Sequence, residues 1–312
     1  MGGWSLFREE IPARQLAAWL CAAMIPVLVQ LLAGVSWVWV LLAGLMSVLV
    51  VWIVWRSGAR EYPKWLWASQ LLFTIVLLGQ LLEKTGESWP TGHQIVVPLI
   101  LLAVAAWSVL KGPSAAARVG GVLFWFIIIM YLAVFGAGVR EVELEWLKPE
   151  LSGVSWLGFA LLLLPAGATA LRRPGEKWGV RLVLPAVFAL AASLITIGVL
   201  SPLAAGKGNA FYELSRSLNL LGIARRFEAV VSAAMTVGWF ALISMLLTFC
   251  GKHFEKLFDG HGKVGVFVGA ALSGAWALCG LHIKPWIVCV CAAVFWVLPP
   301  LLAQGIDARK KS

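Results

Sequence analysis

The chain reads as an all-α polytopic membrane protein, with ten transmembrane helices set out as a five-plus-five inverted repeat. Three observations carry that reading. The 312 residues are 61% hydrophobic, with a mean hydropathy of +0.90 and only 13% charged residues. Apolar stretches of about bilayer length follow one another along almost the whole chain, and a helix needs roughly 20 such residues to cross the hydrocarbon. Prolines interrupt the first stretch of each half, at Pro26 and Pro165.

The spans run over residues 11–33, 36–55, 65–82, 94–110, 119–139, 154–171, 182–203, 229–249, 264–281 and 285–302. They leave no room for a separate soluble unit. Residues 1–312 form a single integral membrane domain, with repeats at about 11–139 and 154–302. Arg8, Glu9 and Glu10 precede the first run as in a signal peptide. The run is too long for one and nine more spans follow, so an uncleaved first helix is expected.

The net charge of +10 is unevenly placed. With the N-terminus in the cytoplasm, about two thirds of the Lys and Arg residues fall on the inner side, among them Arg56, Arg60, Lys64, Arg172, Arg173, Lys252 and Lys256. Cationic loops resist translocation. The basic excess is thus a topology signal: both termini are expected in the cytoplasm, the partner is the lipid bilayer, and no nucleic acid is implied. The outer loops carry Glu83, Glu87, Glu141, Glu143, Glu145 and Glu150, read as a solvated acidic face.

Most of the 18 tryptophans fall near span ends, including Trp52, Trp65, Trp67, Trp107, Trp146, Trp156 and Trp286. An indole is apolar with one N–H and prefers the headgroup boundary. Trp125, Trp239, Trp276 and Trp296 lie deeper and are expected to pack. Cys21, Cys250, Cys279, Cys289 and Cys291 form no CxxC pair. Cys289 and Cys291 point about 200° apart on a helix, so free thiols acting as small hydrophobes are expected.

No metal, nucleotide or hydrolase motif stands out, and no cofactor is implied. His253 and His261 share a cytoplasmic loop with Glu255 and Asp259 in this reading, at no recurrent ligand spacing. His93 and His282 sit at outer helix ends. Intramembrane enzymes carry ionisable groups at depth; the spans hold almost none, so the chain is not read as an enzyme.

Pro26 and Pro165 are the useful irregularities. Proline removes a backbone donor and clashes with the carbonyl four residues back, and the freed carbonyl needs a neighbour, water or a ligand. Each proline alone is compatible with a packing kink. Together they open the two halves, and interrupted helices at matching places in inverted repeats point to a midplane binding site. Helix ends exposed there would offer N–H groups to a carboxylate and C=O groups to a cation, which suits an amino acid. The expected pocket lies between spans one, three, six and eight, lined by Met24, Ile25, Pro26, Gln70, Thr74, Gly158, Pro165, Gly167, Thr236 and Trp239.

Ahead of span eight, Leu214, Leu218 and Leu221 recur at helical spacing in an amphipathic segment. It either covers the outer surface of the bundle or anchors at the interface. Arg225, Arg226 and Glu228 follow; Arg225 and Glu228 are three apart and can face each other. They read as a helix-end ion pair, or as a gating or ligand contact.

The run Leu221-Gly222-Ile223-Ala224-Arg225-Arg226-Phe227-Glu228 before a long apolar span resembles the spore-germination permease family, the membrane-embedded B subunits of nutrient germinant receptors. Trp89-Pro90-Thr91 before span four is similar to that family too. So are the short loop from Gly112 to Arg118 before span five, and the opening Glu10-Ile11-Pro12-Ala13-Arg14-Gln15-Leu16. The chain departs from the family at Ser114, Gly92 and Ala22-Ala23, where Glu, Pro and Gly are frequent. The family belongs to the amino acid–polyamine–organocation (APC) superfamily. The resemblance implies a LeuT-like inverted-repeat fold with spans one, three, six and eight around a central site. It also implies a small-molecule nutrient, germinant receptor A and C subunits as partners, and the inner membrane of a bacterial spore. The other reading is an APC-type amino acid transporter, with proton coupling as one mode open to it. Proton coupling calls for a carboxylate or His at depth, and the absence of one in the spans favours the receptor.

Overall fold

The computed structural model describes residues 10–56, 62–87, 95–149, 153–171, 180–201, 210–217 and 227–299. Among them every regular element is helical. The helices are α1 (Ala13–Leu32), α2 (Trp37–Arg56), α3 (Lys64–Glu87), α4 (Val96–Leu110), α5 (Pro113–Gly138), α6 (Trp156–Leu162), α7 (Leu164–Gly167), α8 (Leu184–Leu200), α9 (Ala210–Ser217), α10 (Phe227–Leu257), α11 (Gly262–Leu278) and α12 (Pro285–Ala292). Six helices are long and apolar enough to cross a membrane: those within Ala13–Leu32, Trp37–Val54, Lys64–Gly86, Pro113–Glu141, Arg181–Leu200 and Ala229–Leu257. Shorter apolar helical stretches cover Val96–Leu110, Trp156–Leu171, Gly262–Leu278 and Pro285–Val297. The molecule is a polytopic helical membrane protein.

Burial sorts the helices. The apolar window of α1 is 83% buried, against 28% for α2 and 33% for the window on α5. A helix apolar on all sides belongs in an interior, and α1 is the central post. The outward faces of α2 and α5 present Leu45, Met46, Val122 and Ile129. Such a surface fits lipid, since soluble proteins rarely expose apolar patches of that extent.

Two apolar cores meet at α1. Trp19, Met24 and Leu28 face a larger one with Phe73, Leu77, Trp239 and Phe249. Ile25 and Val29 face a second with Phe124, Tyr131, Phe188, Ala192 and Phe211. Small residues let the helices approach: Gly120 lies under Trp19, Gly79 under Trp276, and Gly238 against Pro26.

Spans one and six lie antiparallel. Ile11, just ahead of α1, donates its backbone N–H to Leu171 O at 3.1 Å. At the other end Leu32 covers Gly158, and a Cβ added there would lie 2.6 Å from Leu32 Cδ2. The first helix therefore begins where the sixth span ends.

Several expectations are corrected. α1 is helical without interruption from Ala13 to Leu32, so Pro26 does not break it. Its ring is instead packed against Gly238. α10 does not stop near residue 249 but continues to Leu257. His253 and Glu255 are accordingly in a helix, not a loop, and are buried. Among the tryptophans, Trp67 is buried rather than interfacial, and Trp125 is exposed rather than packed. Trp52, Trp65, Trp107, Trp146, Trp156 and Trp286 are exposed, as boundary anchors are expected to be. Glu141, Glu143 and Glu145 are exposed too. The amphipathic segment is helical over Ala210–Ser217, with Ala210, Phe211 and Leu214 buried and Arg216 exposed; Leu218 and Leu221 lie outside the described residues. Phe211 stacks on Tyr131 at 5.4 Å, which docks the segment on α5. All five cysteines are free thiols.

Candidate functional site

The sixth span is the broken one. Ser155 caps α6 by accepting the Gly158 N–H at 3.4 Å. The helix stops at Leu162, turns at Leu163, resumes as the short α7, and tightens into a 3₁₀ turn over Ala168–Leu171. Pro165 explains the break. It has no N–H for the carbonyl four residues back and sits at the start of α7, where that loss matters least. The Ala166 N–H bonds to Leu163 O instead of Leu162 O. Leu162 O then accepts from Ser47 Oγ of α2 at 2.5 Å. The proline itself frees Leu161 O; the neighbouring Ser47 side chain satisfies the next carbonyl, which the Leu163 turn leaves open.

A second irregular segment packs against the first. After α12 the chain widens into a π-helix over Ala293–Val297. Such widened turns gather at functional sites. It places Trp296 over Gly167, so that a Cβ at 167 would lie 2.9 Å from the indole. Phe73 of α3 meets the indole edge-on at 5.0 Å, and Phe249 of α10 does so at 6.3 Å. Gln70, one turn before Thr74 on α3, donates its side-chain amide to Phe295 O at 2.8 Å. This junction of broken span six, π-segment, α3 and α10 is the candidate site.

The ten residues expected to line a pocket divide accordingly. Gln70, Thr74, Pro165 and Gly167 belong to the junction, and all but Gly167 are buried. Thr74 donates to Gln70 O at 2.7 Å. Met24, Pro26 and Trp239 meet farther along α1 and α10, where the Trp239 indole donates to Gln30 Oε1 at 2.8 Å. Ile25 faces the second core. Gly158 is at the opposite end of the broken span from Gly167, under Leu32. Thr236 is half-buried and donates to Ser232 O in its own helix at 2.8 Å. Arg225 and Arg226 lie outside the described residues, as does the side chain of Glu228.

Sequence reasoning missed His253, Phe249, Phe73 and Gln30. His253 is 2% exposed, packed at a tilt between the rings of Trp67 at 5.4 Å and Phe249 at 6.2 Å. The polar run around it hid the helix. The signal was present: Phe249 and His253, like Cys250 and Phe254, keep the four-residue spacing past the last purely apolar residue. Beside His253, the ionisable side chains of Lys252 and Glu255 are buried. Glu255 accepts the Gly260 and Gly262 N–H groups at 3.2 and 2.8 Å, which caps the start of α11. Among the described residues no three His, Cys, Asp or Glu side chains come together to hold a metal.

No protein-family model matches this sequence, and no curated protein matches it. The chemistry of the junction rests on its own geometry: an aromatic wall, a broken backbone and few free polar atoms.

Proposed function

We propose that this chain is the membrane subunit of a spore nutrient germinant receptor. It binds a small nutrient within the bundle and passes a conformational change to A and C subunits in the spore inner membrane. In this reading ten spans cross in two inverted halves, and both termini are cytoplasmic. The observation that carries it is the junction at Gly167, where the broken sixth span meets the π-segment. Irregular backbone at membrane depth is tolerated where it is buried or lines a cavity, and here Trp296 closes it. A nutrient favouring a state with Trp296 displaced would shift the bundle by its differential affinity for the two states. Spores lacking the gene, tested against a nutrient panel, should lose the response to at least one nutrient; an unaltered response to all would remove the receptor reading.

A second reading, an amino acid carrier driven by protons, gains support from the buried Lys252, His253 and Glu255. A buried cluster of ionisable groups is what a proton path needs. Uptake of labelled amino acid into proteoliposomes, driven by a pH difference and lost in His253→Gln, would select this reading over the receptor.

A further inference from the structure

At the break of span six, two buried ring nitrogens have no hydrogen-bond partner among the described residues: Trp296 Nε1 and His253 Nδ1. Phe249 packs against both rings. Both atoms are shut off from solvent, and an unmade bond at a buried group is costly. Two backbone acceptors at the same place are taken. Leu162 O holds the Ser47 hydroxyl, and Phe295 O holds the Gln70 amide. α1 runs unbroken past Pro26 and offers no helix end. An ammonium group would need such carbonyls or a carboxylate; Phe73, Phe249, Trp296, Gly167 and Gln70 carry no charge, and Glu255, beside His253, already accepts the Gly260 and Gly262 N–H groups with its two oxygens. Of the two open ring nitrogens, Trp296 Nε1 is a fixed N–H donor and lies against Gly167, whereas His253 Nδ1 sits on the far side of Phe249.

We propose that the break takes an uncharged, flat solute bearing a hydrogen-bond acceptor, bound to Trp296 Nε1, and not an amino-acid zwitterion. The inference rests on the reading of this junction as the ligand site and names its ligand class. The indole is both the cover of the site and its donor. It now lies on Gly167, and a solute reaching Nε1 lifts it away. The Gln70 bond to Phe295 O holds the adjoining backbone while the ring turns. A ring-bearing solute then replaces the contacts that Phe73 and Phe249 lose.

The test uses the purified full chain in lipid nanodiscs, with empty nanodiscs subtracted. Equilibrium binding is measured for labelled acetophenone (a flat ring with one acceptor), ethylbenzene (the ring without it) and L-phenylalanine (the zwitterion). Saturable acetophenone binding is expected, with no saturable component for the other two. Trp296→Phe keeps a ring but removes the donor, and should weaken acetophenone binding by about fivefold or more. The melting temperature of the variant checks that it folds. Saturable L-phenylalanine binding that Trp296→Phe alters would overturn the ligand class and leave the site standing. Acetophenone binding equal in the folded variant would overturn the role of Nε1. No saturable binding of any of the three would overturn both the class and the site.

Discussion

The indole N–H of Trp239 donates to the side-chain oxygen of Gln30 at 2.8 Å, and this bond ties α10 to the central helix α1. Gln30→Leu would leave a donor unsatisfied on a residue that is 1% exposed. We expect a loss of about 1–3 kcal/mol, read by reversible unfolding in mixed micelles. Trp239→Phe on the Gln30→Leu background should cost less than it does alone, because the shared bond is already gone. Additive losses would show that the pair is not coupled.

Gly238 is the seat of Pro26, with no space for a methyl group between them. Gly238→Ala should destabilise the bundle by about 1–3 kcal/mol through overpacking. Pro26→Ala in the same chain should restore part of it. Failure of that rescue would mean that the clash lies elsewhere.

Glu255 joins α10 to α11 through two backbone N–H groups. Glu255→Gln removes the charge facing the start of α11 and should cost up to about 2 kcal/mol. Hydrogen exchange at Gly260 and Gly262 is the specific readout. Their amides should exchange faster in the variant, while those of α3 are unchanged.

His253 lies between Trp67 and Phe249 with Nδ1 unpartnered. His253→Phe should leave thermal stability unchanged or raise it, since a ring of similar shape carries no unmade bond. His253→Ala should lower it by about 2–4 kcal/mol through the cavity left behind. If the phenylalanine variant is the less stable of the two, the imidazole makes a bond that its ring packing does not explain.

Orientation is testable without knowing the ligand. On a cysteine-free background, a cysteine placed at Ser312 or at Arg173 should resist an impermeant reagent in intact cells and react after lysis. Labelling at either site in intact cells would reverse the topology drawn from the basic loops.

The helices were legible in the sequence because burial in lipid writes itself as uninterrupted apolar runs. Each of the ten windows contains helix, and the docked face of α9 was announced by Leu214. The break at Pro165 was legible too, since a missing N–H is a local property. Pro26 shows the limit of that argument. The same local defect left α1 intact, because the central helix is held on all sides and its proline ring has Gly238 to pack against. His253 was misplaced for the opposite reason: a run of charged neighbours resembles a loop, yet the helix carries them on to Leu257.

By itself, then, the sequence determined the solvent of this protein, its helical class and the break in span six, all of which follow from composition and covalent geometry. Only the tertiary structure decided which irregularity faces which. That Trp296 covers Gly167, that Gln70 holds Phe295 O, and that Ser47 answers the carbonyl freed near Pro165 are contacts between residues more than 100 positions apart. No periodicity encodes such pairings. They follow from the close packing of helices, where one side chain fills the space or the hydrogen bond that another element leaves open.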